Sequence, residues 1–566
     1  MNEAPSGSPE LPELLGSIDR GRLMAHIGEF AERVKLSGST QELESFRYLE
    51  AEMGRYGYRT ELLSHDAYIS LPLASTVSVG GKEIRSITHS MSPSTGPAGI
   101  EAPLVYLGEG SPADFAGKDV VGKIVLIDGV ALEDVADRAS KAGAVGQIHI
   151  SPTEHLYEMC ISPIWGSPSQ HNRADLPKAA AATIPNAEGT ALRERCAGGE
   201  ARRMFLRTEV DTGWRKTPLL VCELEAPGDA DGPFILFSGH HDTWHFGVMD
   251  NGGANAAMLE AARLLAEQRA AWRRGLRVCF WSGHSHGRYS GSAWYADEFW
   301  NELERRCAVH VNLDSAGAVG ATILTNSGVV EELRELAREA IAAETGQRHA
   351  GRRQGRAADQ SFWGVGVPSM FGSLSHQPPG PVKMPAQLGW WWHTPQDLAD
   401  KIDEANLARD TRIVLRVLWR LIAGKMLPLD YRTYADVLAD ELARIDRLIA
   451  GRFDMTALCR GAARLRQAAD MLAAKAAAAS PDQAAAIDQA LMRASRMLVP
   501  VNYTSGERYR HDPAMPLPAW LTLEPLRELA ARPEHDPFYL VEARRARNRL
   551  VHALDEATAW LMRGGQ

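Results

Sequence analysis

Short apolar runs alternate with amphipathic segments through most of the first 425 residues, and this pattern predicts a sheet covered by helices. Each run is short enough for a strand buried on both faces, as in a parallel sheet. Apolar residues recur at helical spacing between the runs, as in the segment 254–265. We therefore predict an α/β fold with a mostly parallel mixed sheet and helices on both faces. The apolar runs are 234–237, 276–281, 308–314 and 367–373.

A different pattern occupies residues 72–210, where short strands and many glycines predict a β-rich insertion. The run VVGKIVLIDG at 120–129 predicts a strand, followed by a helix around 135–142 and a second strand at 145–150. This cluster resembles the protease-associated domain, a module inserted into several peptidase families. Gly122, Lys123 and the apolar strand after them match the most recognisable segment of that module.

Beyond residue 425 the pattern is helical throughout. Alanine-rich helices near 471–498 are interrupted at Ser480, which with Gln483 predicts a capping box, and Pro481 suits the first helical position. A last helix is predicted at 537–562. These helices carry no chemical motif, so packing or dimerisation is their predicted role. One apolar stripe is predicted to comprise Leu438, Leu442, Ile445 and Leu448.

Three domains follow from these changes of pattern, as expected for a chain of 566 residues. A discontinuous catalytic domain is predicted at 13–71 and 211–425, with the insertion at 72–210 and a helical domain at 426–566. Its first part reads as helical from Leu23 to Tyr58.

Composition narrows the class of partner and the compartment. The net charge is −9, with both signs interspersed, which argues against a nucleic-acid partner. Six scattered cysteines without a CxxC pair favour a reducing compartment. Neither a secretory signal pattern nor a run of eighteen apolar residues occurs, so we predict a cytoplasmic protein that acts on a small molecule, with no membrane span.

Histidines and carboxylates follow the predicted strands, which indicates a metal site. Ligands in open α/β sheets bind at the carboxyl ends of strands, and a dinuclear hydrolytic site also needs one carboxylate that can bridge two ions. The run at 234–237 leads into His240, His241, Asp242, His245 and Asp250; Asp314 ends a later run, and His393 follows three tryptophans.

These motifs resemble the zinc-dependent aminopeptidase and glutamate carboxypeptidase family. The matching strings are HxD, DN before the helix GANAAMLEAAR, NLD and HTPQD, and the insertion and helical domain narrow the resemblance to the transferrin-receptor branch. The resemblance implies one or two divalent ions, zinc by default, and a homodimer formed through the helical domain. Added imidazole would also suit other transition metals. It further implies that His240 and Asp314 hold one ion, Asp250 bridges, His393 holds the second ion, and Asp242 orients His240.

The chain departs from the family where two adjacent glutamates, the general base and a ligand of the second ion, are expected. Anchoring on Gly291 and the serine after it puts Ser285 at the base position and His286 at the ligand position. Trp392 stands where this branch usually has a tyrosine that stabilises the oxyanion. Ordinary peptide hydrolysis therefore loses two of its three helpers, because a serine cannot take a proton as a carboxylate can.

Three hypotheses remain open. The favoured one is a metal-dependent enzyme with altered chemistry on a small amide or amino-acid-like substrate, by hydrolysis or metal-assisted elimination, with His284, His245 or His241 as proton carrier. The second is a non-catalytic homologue of the transferrin-receptor kind, although it predicts loss of the ligands. The third is a serine hydrolase, because Gly283 to Gly287 reads G-x-S-x-G after a strand, with Ser285, Asp314 and His393 as a triad.

Overall fold

The predicted parallel strands lie side by side in one sheet. This computed structural model describes residues 11–197, 203–382, 384, 387–532 and 536–565. In the catalytic part, four parallel strands run in the order β12, β11, β9, β10, and β8 joins β10 in the antiparallel sense. The strands are β8 (Arg203–Leu224), β9 (Phe234–His240), β10 (Gly275–Trp281), β11 (Cys307–Asp314) and β12 (Ser369–Ser373). The predicted fold class is confirmed.

Helices cover this sheet because their apolar residues face it. The helix after β9 buries most of its side chains, including Met258 and Leu265, against the strands. The helices of this part are α1 (Leu11–Gly16), α2 (Arg20–Phe30), α3 (Thr40–Arg55), α7 (Ala254–Glu267), α8 (Ser290–Glu298), α9 (Trp300–Arg306), α10 (Arg334–Thr345) and α11 (Glu404–Ile422).

The insertion extends the same sheet. Strands β4 to β7 pair in parallel, as the apolar runs near 124 and 146 predicted. Its strands and helices are β2 (Lys82–Ile84), β3 (Ile87–Thr88), β4 (Ile100–Tyr106), α4 (Pro112–Phe115), β5 (Ile124–Asp128), α5 (Glu133–Lys141), β6 (Gly146–Ile150), β7 (Ala180–Ile184) and α6 (Asn186–Ala197).

Two long antiparallel strands join the insertion to the catalytic part. Strand β1 (Arg59–Val79) pairs with β8 from Arg59 opposite Glu223 to Val79 opposite Met204. The only register shift in this ladder lies between Pro72 and Ala74. Both strands thus cross the predicted domain boundaries at 71/72 and 210/211 without ending there, while the domain division itself remains a prediction.

The helical part comprises α12 (Tyr431–Ile449), α13 (Thr456–Ala476), α14 (Pro481–Tyr503), α15 (Glu524–Ala531) and α16 (Pro537–Gly564). The capping box of Ser480 and Gln483 is present, with Pro481 in the first turn. None of the described helices is long and apolar enough to cross a bilayer.

Three details differ from the sequence predictions. Residues 31–39 interrupt the helical pattern predicted from Leu23 to Tyr58. Leu448 is 53% exposed, and Ile449 takes the buried position because it continues the i, i+4, i+7, i+11 stripe from Leu438. Helix α14 continues through Pro500, where the sequence predicted irregular structure.

A buried ion pair holds the helical part to the sheet. Arg274 at the start of β10 is 1% exposed, and its guanidinium bonds Asp488 of α14, with Nε to Oδ2 at 3.0 Å. The same guanidinium donates to the carbonyl groups of Leu421 and Gly424 at 2.8 and 2.9 Å. One side chain therefore satisfies acceptors on both sides of the junction.

Replacing Arg274 by alanine is expected to lower the free energy of unfolding by about 3–5 kcal/mol, because Asp488 would be left buried without its partner. Urea unfolding followed by circular dichroism measures the effect. Arg273→Ala is the matched control, since that neighbouring side chain is exposed and should change stability by less than about 0.5 kcal/mol. Equal unfolding midpoints for the two variants would contradict the assignment.

Candidate metal centre

Four predicted ligands meet where β9 and β11 end. His240 is the last residue of β9 and Asp314 the last of β11, so parallel pairing brings their side chains to one edge of the sheet. Asp250 lies in the loop between β9 and α7, and His393 comes from the segment after β12. All but His393 are classed as buried, and the His393 side chain is only 13% exposed.

The carboxylate of Asp250 faces two imidazoles at once. Its Oδ1 lies 3.2 Å from Nε2 of His240, and its Oδ2 lies 3.2 Å from Nε2 of His393. Asp314 adds a second carboxylate oxygen 3.4 Å from Nε2 of His240. One carboxylate with each oxygen beside a different imidazole has the arrangement of a ligand that bridges two ions.

Hydrogen bonds fix the protonation of both imidazoles. His240 donates from Nδ1 to the backbone carbonyl of Asp242 at 2.8 Å, and His393 donates from Nδ1 to the carbonyl of Glu158 at 2.7 Å. A carbonyl can only accept, so Nδ1 carries the proton and Nε2 keeps the lone pair that a metal needs. Asp242 thus orients His240 through its backbone oxygen, since its carboxylate is 3.8 Å from Nδ1.

A further carboxylate holds the bridging residue. Asp397 accepts hydrogen bonds from the backbone amides of Met249 and Asp250 at 2.9 and 3.0 Å. Burial raises the pKa of Asp397 to about 7, against these two bonds. The loop that carries Asp250 is therefore anchored to the HTPQD segment that also carries His393.

The charges of the site are coupled. Burial favours the neutral forms of His240 and Asp250, but the hydrogen bonds between them outweigh it, so the pKa of His240 is raised and that of Asp250 is lowered. The group therefore strongly favours positive charge beside its carboxylates. Imidazole nitrogens and carboxylate oxygens are also the donor types that zinc and similar divalent ions take, so the residues present fit such an ion.

His284 lies against His240. The two rings stack at 3.7 Å between centroids with an interplanar angle of 15°, and Nδ1 of His284 bonds Oδ2 of Asp359 at 2.7 Å. Asp359 is buried; burial would raise its pKa, but His284 holds it below the ordinary value. A carboxylate paired in this way takes the Nδ1 proton, which leaves Nε2 of His284 as the basic nitrogen.

Ligand-type atoms of His240, His284 and Asp314 lie within 4.8 Å of one another, so distance alone allows all three to hold one ion. Ring geometry argues otherwise for His284. An imidazole binds metal through a lone pair in its ring plane, at about 2.0–2.1 Å. An ion in the plane of His240 lies far outside the nearly parallel plane of His284, so His284 is placed beside the ion and not bound to it.

His286, predicted as a ligand of the second ion, lies outside that group of three. Its Nδ1 is 3.0 Å from the hydroxyl of Ser37, which itself donates to the carboxylate of Asp242 at 2.6 Å. Since the single hydroxyl proton goes to Asp242, Nδ1 of His286 must be the donor. Burial lowers the pKa of His286 to about 4, so Nε2 is bare, and the ligand assignment stays a prediction.

The other candidate proton carriers lie in different surroundings. His241 is buried between Phe30 and Phe46 and bonds Ser45 at 2.8 Å, which places it in the core. His245 is half-buried, with Nε2 3.6 Å from the carboxylate of Glu158. Burial lowers the pKa of His245 to about 4.

Ser285 and Trp392 do not take the positions that their proposed roles need. The hydroxyl of Ser285 has no hydrogen-bond partner among the described residues, and its φ is not left-handed. No hydrogen bond between described residues links it to His393 or Asp314, so the suggested triad is not assembled. The ring of Trp392 stacks on that of His393 at 3.7 Å, which supports the imidazole by packing.

Several residues of the site escaped the sequence analysis. Glu158 belongs to the insertion, and its amide also donates to the carbonyl of His393 at 3.1 Å. Burial raises the pKa of Glu158 to about 7. Asp359 lies in a segment without regular structure, and Ser37 lies between two helices. Only Asp397 had a sequence signal, since it ends the HTPQD string.

Comparison with known proteins agrees with this geometry. Aminopeptidase YwaD of Bacillus subtilis (strain 168) is 25% identical over 371 residues, which is 63% of this chain and 74% of the relative. The probable glutamate carboxypeptidase VP8 of Zea mays is 28% identical over 86 residues, 15% of this chain and only 12% of the relative.

Among solved structures, the aminopeptidase from Aneurinibacillus sp. strain AM-1 superposes with a TM-score of 0.55 at 23% identity, over 73% of this chain and 96% of that one. The zinc aminopeptidase BSAP of Bacillus subtilis gives 0.55 at 21% identity, over the same shares. These two likenesses bear on the fold. The model described as peptidase family M28 matches residues 220–418, the segment that carries every predicted metal ligand. The chain therefore carries a peptidase family M28 domain.

Proposed function

We propose that the protein is a metal-dependent hydrolase that cleaves an amide bond in a small, amino-acid-like substrate, with His284 as the proton acceptor. The observation that carries this proposal is the carboxylate of Asp250, whose two oxygens each face the Nε2 atom of a different histidine at 3.2 Å. Zinc is the ion we favour, because the donors suit it and because the similar BSAP is described as a zinc aminopeptidase.

Each ion position would have its own ligands. His240 and Asp314 face the first position and His393 the second, with Asp250 between them. His286 is proposed as a further ligand of the second position, because its bare Nε2 and its ring 4.4 Å from Trp244 keep it on the side of His393. Divalent ions held there would supply the positive charge that polarises a substrate carbonyl and favours deprotonation of water.

His284 can replace the missing glutamate. Its Nε2 takes the proton of the attacking water, while Asp359 holds Nδ1 and stabilises the imidazolium that results. The imidazolium can then return that proton to the leaving amine. The stacked ring of His240 and the buried carboxylate fix the orientation of His284, so little reorganisation accompanies the transfer.

The alternatives are separable. A non-catalytic homologue would be expected to lose ligands, whereas all five predicted metal positions here keep ligand-type side chains. A serine hydrolase would need Ser285 joined to a histidine, and the described hydrogen bonds contain no such pair. Elimination in place of hydrolysis, and the homodimer through the helical part, remain predictions.

The test begins with protein purified without chelator. We expect elemental analysis to find about one to two equivalents of divalent metal, and a panel of dipeptides and N-acyl amino acids to contain a substrate. Chelation should abolish turnover, and zinc, cobalt, nickel or iron(II) should restore it. Products that incorporate the elements of water identify hydrolysis, whereas an unsaturated product identifies elimination.

Each contrary result has its own meaning. Absence of metal together with chelator-resistant turnover would refute the proposal. Covalent labelling of Ser285 by a fluorophosphonate would establish the serine hydrolase. Full metal content without turnover of any amide would favour the non-catalytic homologue.

A further inference from the structure

A large cavity lies at the edge of the sheet opposite the metal centre. It has a volume of about 580 Å³ and opens where strands β9, β10 and β11 begin, against the first half of helix α14. Its walls include Arg273 before β10, Arg305 before β11, and Arg496 of α14. We call it the basal cavity. Its size lies within the range of small-molecule sites.

The basal cavity is rich in positive charge, although the whole chain has a net charge of −9. Seven arginine and lysine side chains line it, against four acidic ones. This contrast decides what kind of ligand the cavity can hold, because a pocket lined by one sign of charge concentrates the opposite sign.

Some of these charges already have partners. Arg274 pairs with Asp488, and Arg493 pairs with Glu304 at 2.8 Å. Arg306, also in the wall, pairs with acidic residues outside the cavity. These pairs are internal to the fold, so they are not free to bind a ligand.

Four cationic groups remain without a carboxylate in contact. Arg273, Arg305 and Lys425 form no salt bridge with any described residue. Arg496 is 3% exposed, and its guanidinium donates only to backbone carbonyls, including that of Gly366 at 2.8 Å. A buried charge held by carbonyl dipoles alone still lacks a counter-ion.

Two acidic groups offset this in part. Asp229 and Asp231 line the same cavity, and neither forms a salt bridge with a described residue. Against four unpaired cations they leave an excess of positive charge. The N-terminal turn of the 23-residue helix α14, at Pro481 and Ala484, also borders the cavity and adds the positive end of its dipole.

We propose that the basal cavity binds a small polyanion, a molecule that carries several phosphate or carboxylate groups, and that this anion ties the helical part to the sheet. Arginine forks match such groups in two hydrogen bonds, and here they come from both sides of the junction. Arg273 and Arg305 belong to the catalytic part, whereas Arg496 belongs to α14. The site is independent of the proposed hydrolysis, and its test needs no substrate.

Thermal unfolding of the full chain tests the proposal, with tripolyphosphate and citrate as probes and sodium chloride at matched ionic strength as the reference. We expect either probe to raise Tm by several degrees beyond the chloride reference, since a ligand of the native state stabilises it by mass action. Titration calorimetry should give one site per chain. A response to tripolyphosphate alone assigns phosphate groups, and a response to citrate alone assigns carboxylates.

The double variant Arg273→Glu, Arg305→Glu should lose the response and weaken binding at least about tenfold. Both side chains are exposed, so the fold should survive, and an unchanged Tm without probe verifies this. The matched control is Arg544→Glu, an exposed arginine of α16 far from the cavity wall, which should respond as the native chain does. No shift beyond chloride, or an equal shift in the double variant, would overturn the proposal.

Discussion

Asp250→Asn is expected to lower the affinity for divalent metal by more than about 100-fold and to reduce hydrolysis to background. The native carboxylate offers one charged oxygen to each of His240 and His393. An asparagine of the same shape offers a single neutral oxygen, and its amide nitrogen would face one of the two ion positions. Elemental analysis after gel filtration and competition with a chromophoric chelator measure the loss.

Asp440→Asn is the control for Asp250→Asn, because Asp440 is exposed on α12 and contacts no group of the site. It should retain native metal content and activity. Full metal occupancy in Asp250→Asn would show that no ion is bridged there. The bridging assignment would then fail even if the protein proved to be a hydrolase.

His284→Ala is expected to lower kcat by about 10²–10⁴-fold while the metal content stays native. The two results belong together, because the stacked ring geometry places His284 beside the ion and not among its ligands. Asp359→Asn should act in the same direction with a smaller loss, since the imidazole would keep its place without its partner charge. Turnover at saturating substrate and metal content are measured on the same samples.

Ser285→Ala serves as the control, because its hydroxyl makes no hydrogen bond with a described residue. It should keep most of the activity of the native protein. Loss of metal in His284→Ala would make His284 a ligand and leave the proton acceptor unassigned. Equal losses in the two variants would instead favour general disruption of the loop that carries both residues.

Much of the fold follows from local patterns in the sequence. The strands around His240 and Asp314 are apolar runs with a polar end, so their parallel pairing places both side chains at one edge. Ser480, Pro481 and Gln483 define a helix start by chemistry that acts within four residues. Such features depend on neighbours along the chain, which a sequence displays directly.

The remainder of the site depends on residues distant in sequence. Glu158 reaches His393 across 235 positions, and Asp359 reaches His284 across 75. The loop after β10 adds an ambiguity of register. Matching from Gly291 assigned His286 as a ligand, whereas the structure stacks His284 on His240 and sets His286 behind it on Ser37. No periodicity or cap encodes these contacts.

The long ladder of β1 and β8 makes the junction between the insertion and the M28 domain inseparable by cloning. Cutting the chain at 72 and 210 would divide a run of paired residues in mid-strand and leave both fragments with a bare hydrogen-bonding edge. An isolated insertion should therefore aggregate rather than fold. The junction also lacks a flexible connection, so Glu158 is carried to His393 by a rigid β-ribbon and not by a swinging lid.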